Sequence, residues 1–131
     1  MYRSVLIRYK MIFKNDYGND TVEYKNVGVV LDNGTSKSIS FNCEAGTIEI
    51  IYNKDEIILN NGNSRLCFYY HKERWNDYNV QFGSIKLKTK LLKFEANDSI
   101  IKMKYELYDE GGLVSTAYML MNIQPYHFSE E

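Results

Sequence analysis

The sequence predicts an all-β protein, an antiparallel up-and-down β-barrel of about eight to ten strands. Apolar and polar side chains alternate along nearly every segment, and this period of two is typical of strands that bury one face. Turns rich in Asn, Asp and Gly interrupt the alternation at intervals too short for helical crossovers, so consecutive strands are expected to be antiparallel. The chain also holds 12 tyrosines and 6 phenylalanines in 131 residues, and aromatic residues favour strands.

Closure of the sheet follows from the length of these strands. Several exceed the five or six residues that are usual for a strand, and each has one apolar face. Long sheets of this kind curl, and closure into a barrel removes the exposed edge strands. We therefore expect a barrel, with an open sandwich as the alternative. One domain is predicted over residues 1–125, followed by a C-terminal tail over residues 126–131.

The first predicted strand has one apolar face and one basic face. Arg8, Lys10 and Lys14 occupy even positions. The apolar side chains occupy odd positions: Val5, Ile7, Tyr9, Met11 and Phe13. Residues 15–20 then form a turn.

The second predicted strand changes its apolar face part-way along. Val22 and Tyr24 place apolar side chains at even positions, whereas Val27, Val29 and Leu31 stand at odd positions. Gly28 lies beside this change. A β-bulge or a sharp bend is therefore predicted at Gly28.

The middle of the chain predicts four shorter strands. Asn33-Gly34 is a strong hairpin signal, because both residues tolerate the positive φ angles of tight turns. Further turns at residues 45–46, 53–55 and 60–63 separate the strands that follow. Their alternating apolar side chains are Ile39, Phe41 and Cys43; Ile48, Ile50 and Tyr52; Ile57 and Leu59; and Leu66, Phe68 and Tyr70.

The C-terminal strands repeat the alternation, with Thr89 in line with the apolar positions. One face carries Ile85, Leu87, Thr89 and Leu91; Ile101, Met103, Tyr105 and Leu107; and Ala117, Met119, Met121 and Ile123. This face is expected to point into the barrel.

Composition argues against several classes of function. The net charge of −1 lacks the basic excess of general nucleic-acid binders, so nucleic-acid binding is not expected. No segment resembles a signal peptide or a membrane helix, so we expect no membrane insertion. Cys43 and Cys67 are interpreted as reduced thiols of a cytoplasmic protein. No metal-binding, nucleotide-binding or nucleophile motif is found, and we expect no metal, no cofactor and no enzymatic activity.

Three stretches resemble a known family. They are SRLCF at residues 64–68, YNVQFGSIKLKT at residues 78–89, and IKMKYEL at residues 101–107 with GLVS at residues 112–115. In this order and spacing they are similar to the YwiB-like bacterial proteins, a family of unknown function. The family usually has a Thr-Pro pair where this chain has Val80-Gln81. The resemblance implies a calycin-like (lipocalin-like) β-barrel in a bacterial, intracellular setting, and it implies no reaction.

Candidate ligand-binding residues are Arg65, Tyr69, His71 and Tyr105. If Leu66 and its alternate neighbours point outward, Arg65 points into the barrel beside Tyr69 and His71. A buried guanidinium suits a carboxylate or phosphate, because it offers a planar set of donors. The leading hypothesis is therefore a non-enzymatic binding module that holds a small amphipathic or anionic ligand at the barrel mouth.

Other interpretations of the same residues stay open. Arg65 can instead lie at the surface, and the interior can be filled by methionines and aromatic side chains rather than by a ligand. A protein–protein interaction surface or a homodimer is the second hypothesis. The lysines of the C-terminal strands suggest RNA binding as a third, although a lysine row is more often a solvated outer face. These lysines are Lys86, Lys88, Lys90, Lys102 and Lys104.

Overall fold

The chain folds into ten β-strands. The structure, a computed structural model, describes residues 2–126. The strands are β1 (Tyr2–Asn15), β2 (Gly18–Asp32), β3 (Lys37–Cys43), β4 (Gly46–Tyr52), β5 (Glu56–Asn61), β6 (Ser64–Tyr69), β7 (Arg74–Val80), β8 (Gly83–Ala96), β9 (Ile100–Asp109) and β10 (Gly112–Pro125). Within residues 2–126 there is no helix of the length and apolar character that a membrane span requires. The predicted tail lies outside the described residues from position 127 onward.

The ten strands form one antiparallel sheet, in the order β6-β5-β4-β3-β2-β1-β10-β9-β8-β7. Consecutive strands pair with each other except for β6 and β7, and β1 also pairs with β10. The two edge strands, β6 and β7, are consecutive in the chain and meet through side-chain hydrogen bonds to the backbone of β6. The sheet is therefore a nearly closed up-and-down barrel, which confirms the predicted fold class.

The barrel interior is filled by the side chains of one strand face. At its centre, Tyr105 packs edge-on against Phe68, with ring centroids 4.8 Å apart. Tyr9 contacts Phe41 at a centroid distance of 5.5 Å. Burial of each large apolar side chain contributes about 1.5–3 kcal/mol to stability. The other buried core residues come from β1 to β6, β9 and β10, and include Val5, Ile7, Met11, Val30, Ile39, Ile48, Ile50, Ile57, Leu59, Leu66, Ile101, Met103, Ala117, Met119, Met121 and Ile123.

Gly28 is not a bulge, and this prediction was wrong. The register between β1 and β2 runs without a shift, and Gly28 keeps the inward parity of Tyr24 and Val30. A Cβ atom at Gly28 would lie 2.5 Å from Ile7 Cδ1 and would overlap the backbone oxygen of Ser40. Glycine is required there because β2 and its neighbours approach too closely for any side chain.

The bulges lie elsewhere, in β8 and β10. The register shifts between Leu91 and Lys93, and again between Leu113 and Ser115. A bulge inserts one residue and changes which face the following side chains occupy. After the first bulge, Phe94 points inward and packs against the core.

The inward face of β8 agrees with the predicted parity. Leu87 and Thr89 are buried. Ile85 shares their face but is exposed, because the pairing of β8 with β9 begins only at Lys88. The predicted burial of Ile85 was therefore wrong, although its parity was right.

Candidate functional site

Arg65 lies on the outer surface of the barrel, as in the alternative interpretation, and the inward orientation on which the ligand-binding hypothesis depended is wrong. Leu66 and Phe68 of the same strand are buried, and Arg65 is exposed opposite Asn60. Burial of Leu66 and Phe68 is favourable, whereas burial of a guanidinium is not. A buried charge would also need a partner inside the barrel.

Tyr69 also faces outward, where it belongs to the seam between β6 and β7. The charged groups of Arg74 and Lys72 lie 4.6 and 4.7 Å from the centroid of its ring. Arg74 also forms a salt bridge with Glu56 at 2.7 Å. His71 is exposed in the connection between the two strands. These residues help to close the barrel and do not line its interior.

Tyr105 lies in the interior, apart from the other three predicted site residues. Burial raises the pKa of its hydroxyl, and the nearby Tyr9 and Tyr78 raise it further, so the group stays protonated at neutral pH. The cavity beside Tyr105, also lined by Phe13 and Leu107, has a volume of about 60 Å³. Sites for drug-sized ligands measure about 300 Å³ or more, so the predicted mouth site is too small for such a ligand.

The predicted lysine face divides into two parts. Lys86 lies 2.8 Å from Asp77, and this hydrogen bond and the carboxylate charge raise the pKa of Lys86. Lys88 lies 3.1 Å from the carboxylate of Glu73. The lysines of β9 instead line a groove on the outer surface.

This groove crosses the outer face of β1, β10, β9 and β8 and has a volume of about 570 Å³. We name it the basic groove; it is lined by Lys10, Ile12, Lys93, Lys102, Met103, Lys104, Tyr118, Met119 and Leu120. Its outward apolar side chains lie side by side, because Ile12 stands opposite Tyr118 and Leu120 follows two residues later. No carboxylate, histidine or cysteine is among these described lining residues. Two carboxylates lie just outside the lining: Glu23 is 3.5 Å from Lys10, and Glu95 is 3.3 Å from Lys93. The groove therefore combines an apolar floor with ammonium groups, of which Lys102 and Lys104 lie on the central strand β9.

Tyr118 is the centre of the basic groove. The Nζ atoms of Lys14 and Lys104 lie 5.1 and 5.0 Å from the centroid of its ring. Such cation–π contacts contribute about 0.5–1 kcal/mol each at exposed sites. They hold two ammonium groups at one aromatic side chain, and an anion bound there would face both.

The sequence interpretation missed this groove because its walls are distant in the chain. Lys10 lies in β1, whereas Lys102 and Tyr118 lie in β9 and β10, and the pairing of β1 with β10 brings them together. One signal of this groove was present in the sequence. Tyr118 and Leu120 are large apolar residues, and they alternate with the buried residues of β10, so their side chains face outward.

Metal ligands do not gather in the described part of the chain. Between residues 2 and 126, no three side chains of His, Cys, Asp or Glu are arranged to hold a metal ion. Cys43 and Cys67 are both free thiols.

The fold is similar to that of a solved bacterial protein. No protein-family model matches this sequence, and no curated protein matches it. The crystal structure of the ywiB protein from Bacillus subtilis superposes with a TM-score of 0.75 and a sequence identity of 14%. The match covers 96% of this chain and 94% of that chain. The resemblance to the YwiB-like proteins is therefore confirmed for the fold, and the identity is too low to transfer any function.

Proposed function

We propose that this barrel is a non-enzymatic binding module for a small anion that carries an apolar segment, and that the basic groove is its site. One observation supports this most directly: ammonium groups surround an apolar floor with no carboxylate among the lining residues. The proposal retains the predicted amphipathic or anionic ligand and moves its site from the barrel mouth to the outer face. The small interior cavity is the reason for the move.

The chemistry of the groove matches the two parts of such a ligand. An alkyl chain would cover Ile12, Tyr118 and Leu120, and each methylene removed from water contributes about 0.8 kcal/mol. The head group would lie near Lys102 and Lys104. A single exposed ion pair contributes only about 0.2–1 kcal/mol, so the apolar contact supplies much of the affinity and the lysines select the anion.

The basic groove has no evident catalytic group. Its ammonium side chains are donors without an acceptor, and Tyr118 is its only hydroxyl among the described lining residues. A general base would need an acceptor within hydrogen-bond reach of the ligand. Binding is therefore the function that this set of side chains supports.

Calorimetric titration with decyl phosphate, below its micelle concentration, tests the proposal. Lys104→Glu should weaken binding about tenfold, which corresponds to about 1.4 kcal/mol. Lys54→Glu is the matched control, because Lys54 is an exposed lysine in the turn between β4 and β5, and it should bind like the wild type. Absence of binding, or equal losses in both variants, would refute the proposed site.

The predicted homodimer or interaction protein is the second candidate. Tyr2 and Leu31 are register partners on the outer face and are 67% and 47% exposed, with Val27 on the same face of β2. Exposed apolar groups of this kind favour contact with another protein surface. Sedimentation of the wild type and of Leu31→Lys tests this: a dimer that Leu31→Lys dissociates supports it, and a wild-type monomer at high concentration excludes the homodimer.

A further inference from the structure

Two cross-strand pairs on the outer face bring like charges together. Lys25 of β2 stands directly opposite Arg8 of β1, and Lys93 of β8 stands opposite Lys104 of β9. Like charges in directly opposite positions of a sheet destabilise it. The Arg8–Lys25 pair therefore costs stability, whereas a salt bridge between Lys93 and Glu95 at 3.3 Å offsets part of the cost of the second pair.

Several other lysines of this barrel stand opposite carboxylates, in contrast to the two like-charge pairs. The register partners with opposite charge include Lys10 and Glu23, Lys86 and Asp77, Lys90 and Glu106, and Lys102 and Glu95. Residues that lower the stability of the fold are expected at functional sites, where the binding of a ligand compensates for the lost stability.

The two like-charge pairs lie at opposite ends of one continuous surface. A second cavity of about 360 Å³ is lined by Arg8 and Lys25, and it shares Lys10 and Leu120 with the basic groove. From β2 to β8 this surface crosses four strand spacings of about 4.8 Å, or about 19 Å in total. We name it the basic track; its cations are Lys25, Arg8, Lys10, Lys102, Lys104 and Lys93. Two carboxylates border it: Glu23 lines the second cavity 3.5 Å from Lys10, and Glu95 lies 3.3 Å from Lys93. The six cations outnumber these two carboxylates, so the track keeps a positive charge.

We propose that the basic track binds a phosphate-linked polyanion in single-stranded form. This inference rests on the proposed function, since the basic groove forms the middle of the track. The centres of the two pairs are three strand spacings, or about 14 Å, apart across the sheet, so one small head group cannot contact both. A chain with a charge at every repeat can contact the cations at both ends, and release of its counterions drives the association.

Two sources share this chemistry, a single-stranded nucleic acid and an inorganic polyphosphate. The apolar floor favours the nucleic acid, because a base can contact the ring of Tyr118 or the side chain of Leu120, whereas polyphosphate has no apolar part. The net charge of −1 does not oppose this, because local charge at the track determines the attraction and many carboxylates lie in turns.

Arg8→Glu separates binding from stability in one variant. The new carboxylate would stand opposite Lys25, so the like-charge pair becomes an opposite-charge pair and the melting temperature should stay equal or rise. Polyanion affinity should fall about tenfold, and the slope of log K against log salt should decrease by about 0.7 for each lost phosphate contact. Lys54→Glu should change neither affinity nor slope.

Fluorescence anisotropy with a labelled oligouridylate of about 12 nucleotides measures this, between about 50 and 200 mM salt. Competition with inorganic polyphosphate shows whether the basic track prefers a nucleic acid or polyphosphate. Competition with polyglutamate tests whether the polyanion must carry phosphate groups. Failure of the oligouridylate and of polyphosphate to bind would overturn the inference. So would polyglutamate that competes as well as polyphosphate, or Arg8→Glu that binds like the wild type.

Decyl phosphate distinguishes this inference from the proposed function. Arg8→Glu should bind decyl phosphate like the wild type, because Arg8 does not line the basic groove. Lys104→Glu should weaken the binding of both ligands. If decyl phosphate binds but polyanions do not, the inference fails and the proposed function stands. If polyanions bind but decyl phosphate does not, the small-ligand proposal fails.

Discussion

Asn76 of β7 bonds to both backbone groups of Cys67 in β6. Its Oδ1 accepts a hydrogen bond from the Cys67 N–H at 2.7 Å, and its Nδ2 donates to the Cys67 carbonyl oxygen at 3.2 Å. The hydroxyl of Thr89 donates to the same carbonyl at 2.6 Å. One amide side chain thus takes the place of a strand partner, and the barrel closes here without a backbone ladder between its edge strands.

Asn76→Ala should destabilise the barrel by about 1–3 kcal/mol, because it leaves the buried N–H of Cys67 without a partner. Urea unfolding followed by circular dichroism measures the loss. Asn79→Ala is the control on the same strand, since Asn79 is exposed and makes a long hydrogen bond of 3.4 Å. Its effect should stay within about 0.5 kcal/mol. Equal unfolding curves for the two variants would show that the amide does not hold the seam.

Thiol labelling should report opening of the same seam. Cys67 is buried and Cys43 is partly exposed, so one thiol should react quickly and one slowly. In a Cys43→Ser background only the slow thiol remains, and adding Asn76→Ala should accelerate its labelling. A Cys67 that reacts as fast in the folded wild type as in urea would contradict the closed seam.

Tyr105 should behave as a core residue rather than as a ligand contact. Tyr105→Ala should cost about 3–5 kcal/mol of stability, because the neighbours of a fully buried ring cannot collapse into its space. Tyr105→Phe, which keeps the ring, should cost much less. Tyr17→Ala, at a fully exposed turn, should be nearly neutral. Little loss in Tyr105→Ala would point to a looser interior than the one described.

Asp98 should contribute a stability that acid removes. Lys37 lies 3.0 Å from its carboxylate, and this hydrogen bond and charge, with Arg3, lower the pKa of Asp98. Because the folded pKa is depressed, the contribution is present above the unfolded value of about 3.9 and is lost as pH falls through the folded value. An NMR titration of the carboxyl carbon should show Lys37→Met returning the pKa toward its ordinary value. The same titration curve in both proteins would exclude this ion pair.

Alternation along a strand predicts that its two faces differ, and this much was correct for β1, β8, β9 and β10. It does not say which face points inward. In β6, Arg65 could face inward only if Leu66 and Phe68 faced outward. The structure buries Leu66 and Phe68, so Arg65 faces outward. At Gly28, the outward-facing Val27, Val29 and Leu31 gave the appearance of a change of parity, whereas the close approach of the strands required a residue without a side chain.

The order of turns and alternating segments was enough to specify an antiparallel barrel, because the period of two and the short connections are local properties of the chain. The position of Lys10 in the same groove as the β9 lysines, the filled interior and the closure by Asn76 depend instead on register between distant strands and on how side-chain volumes fit inside. Those quantities arise only when β1 pairs with β10 and the edges meet. Local pattern therefore decided the architecture, and long-range packing decided where the basic groove lies.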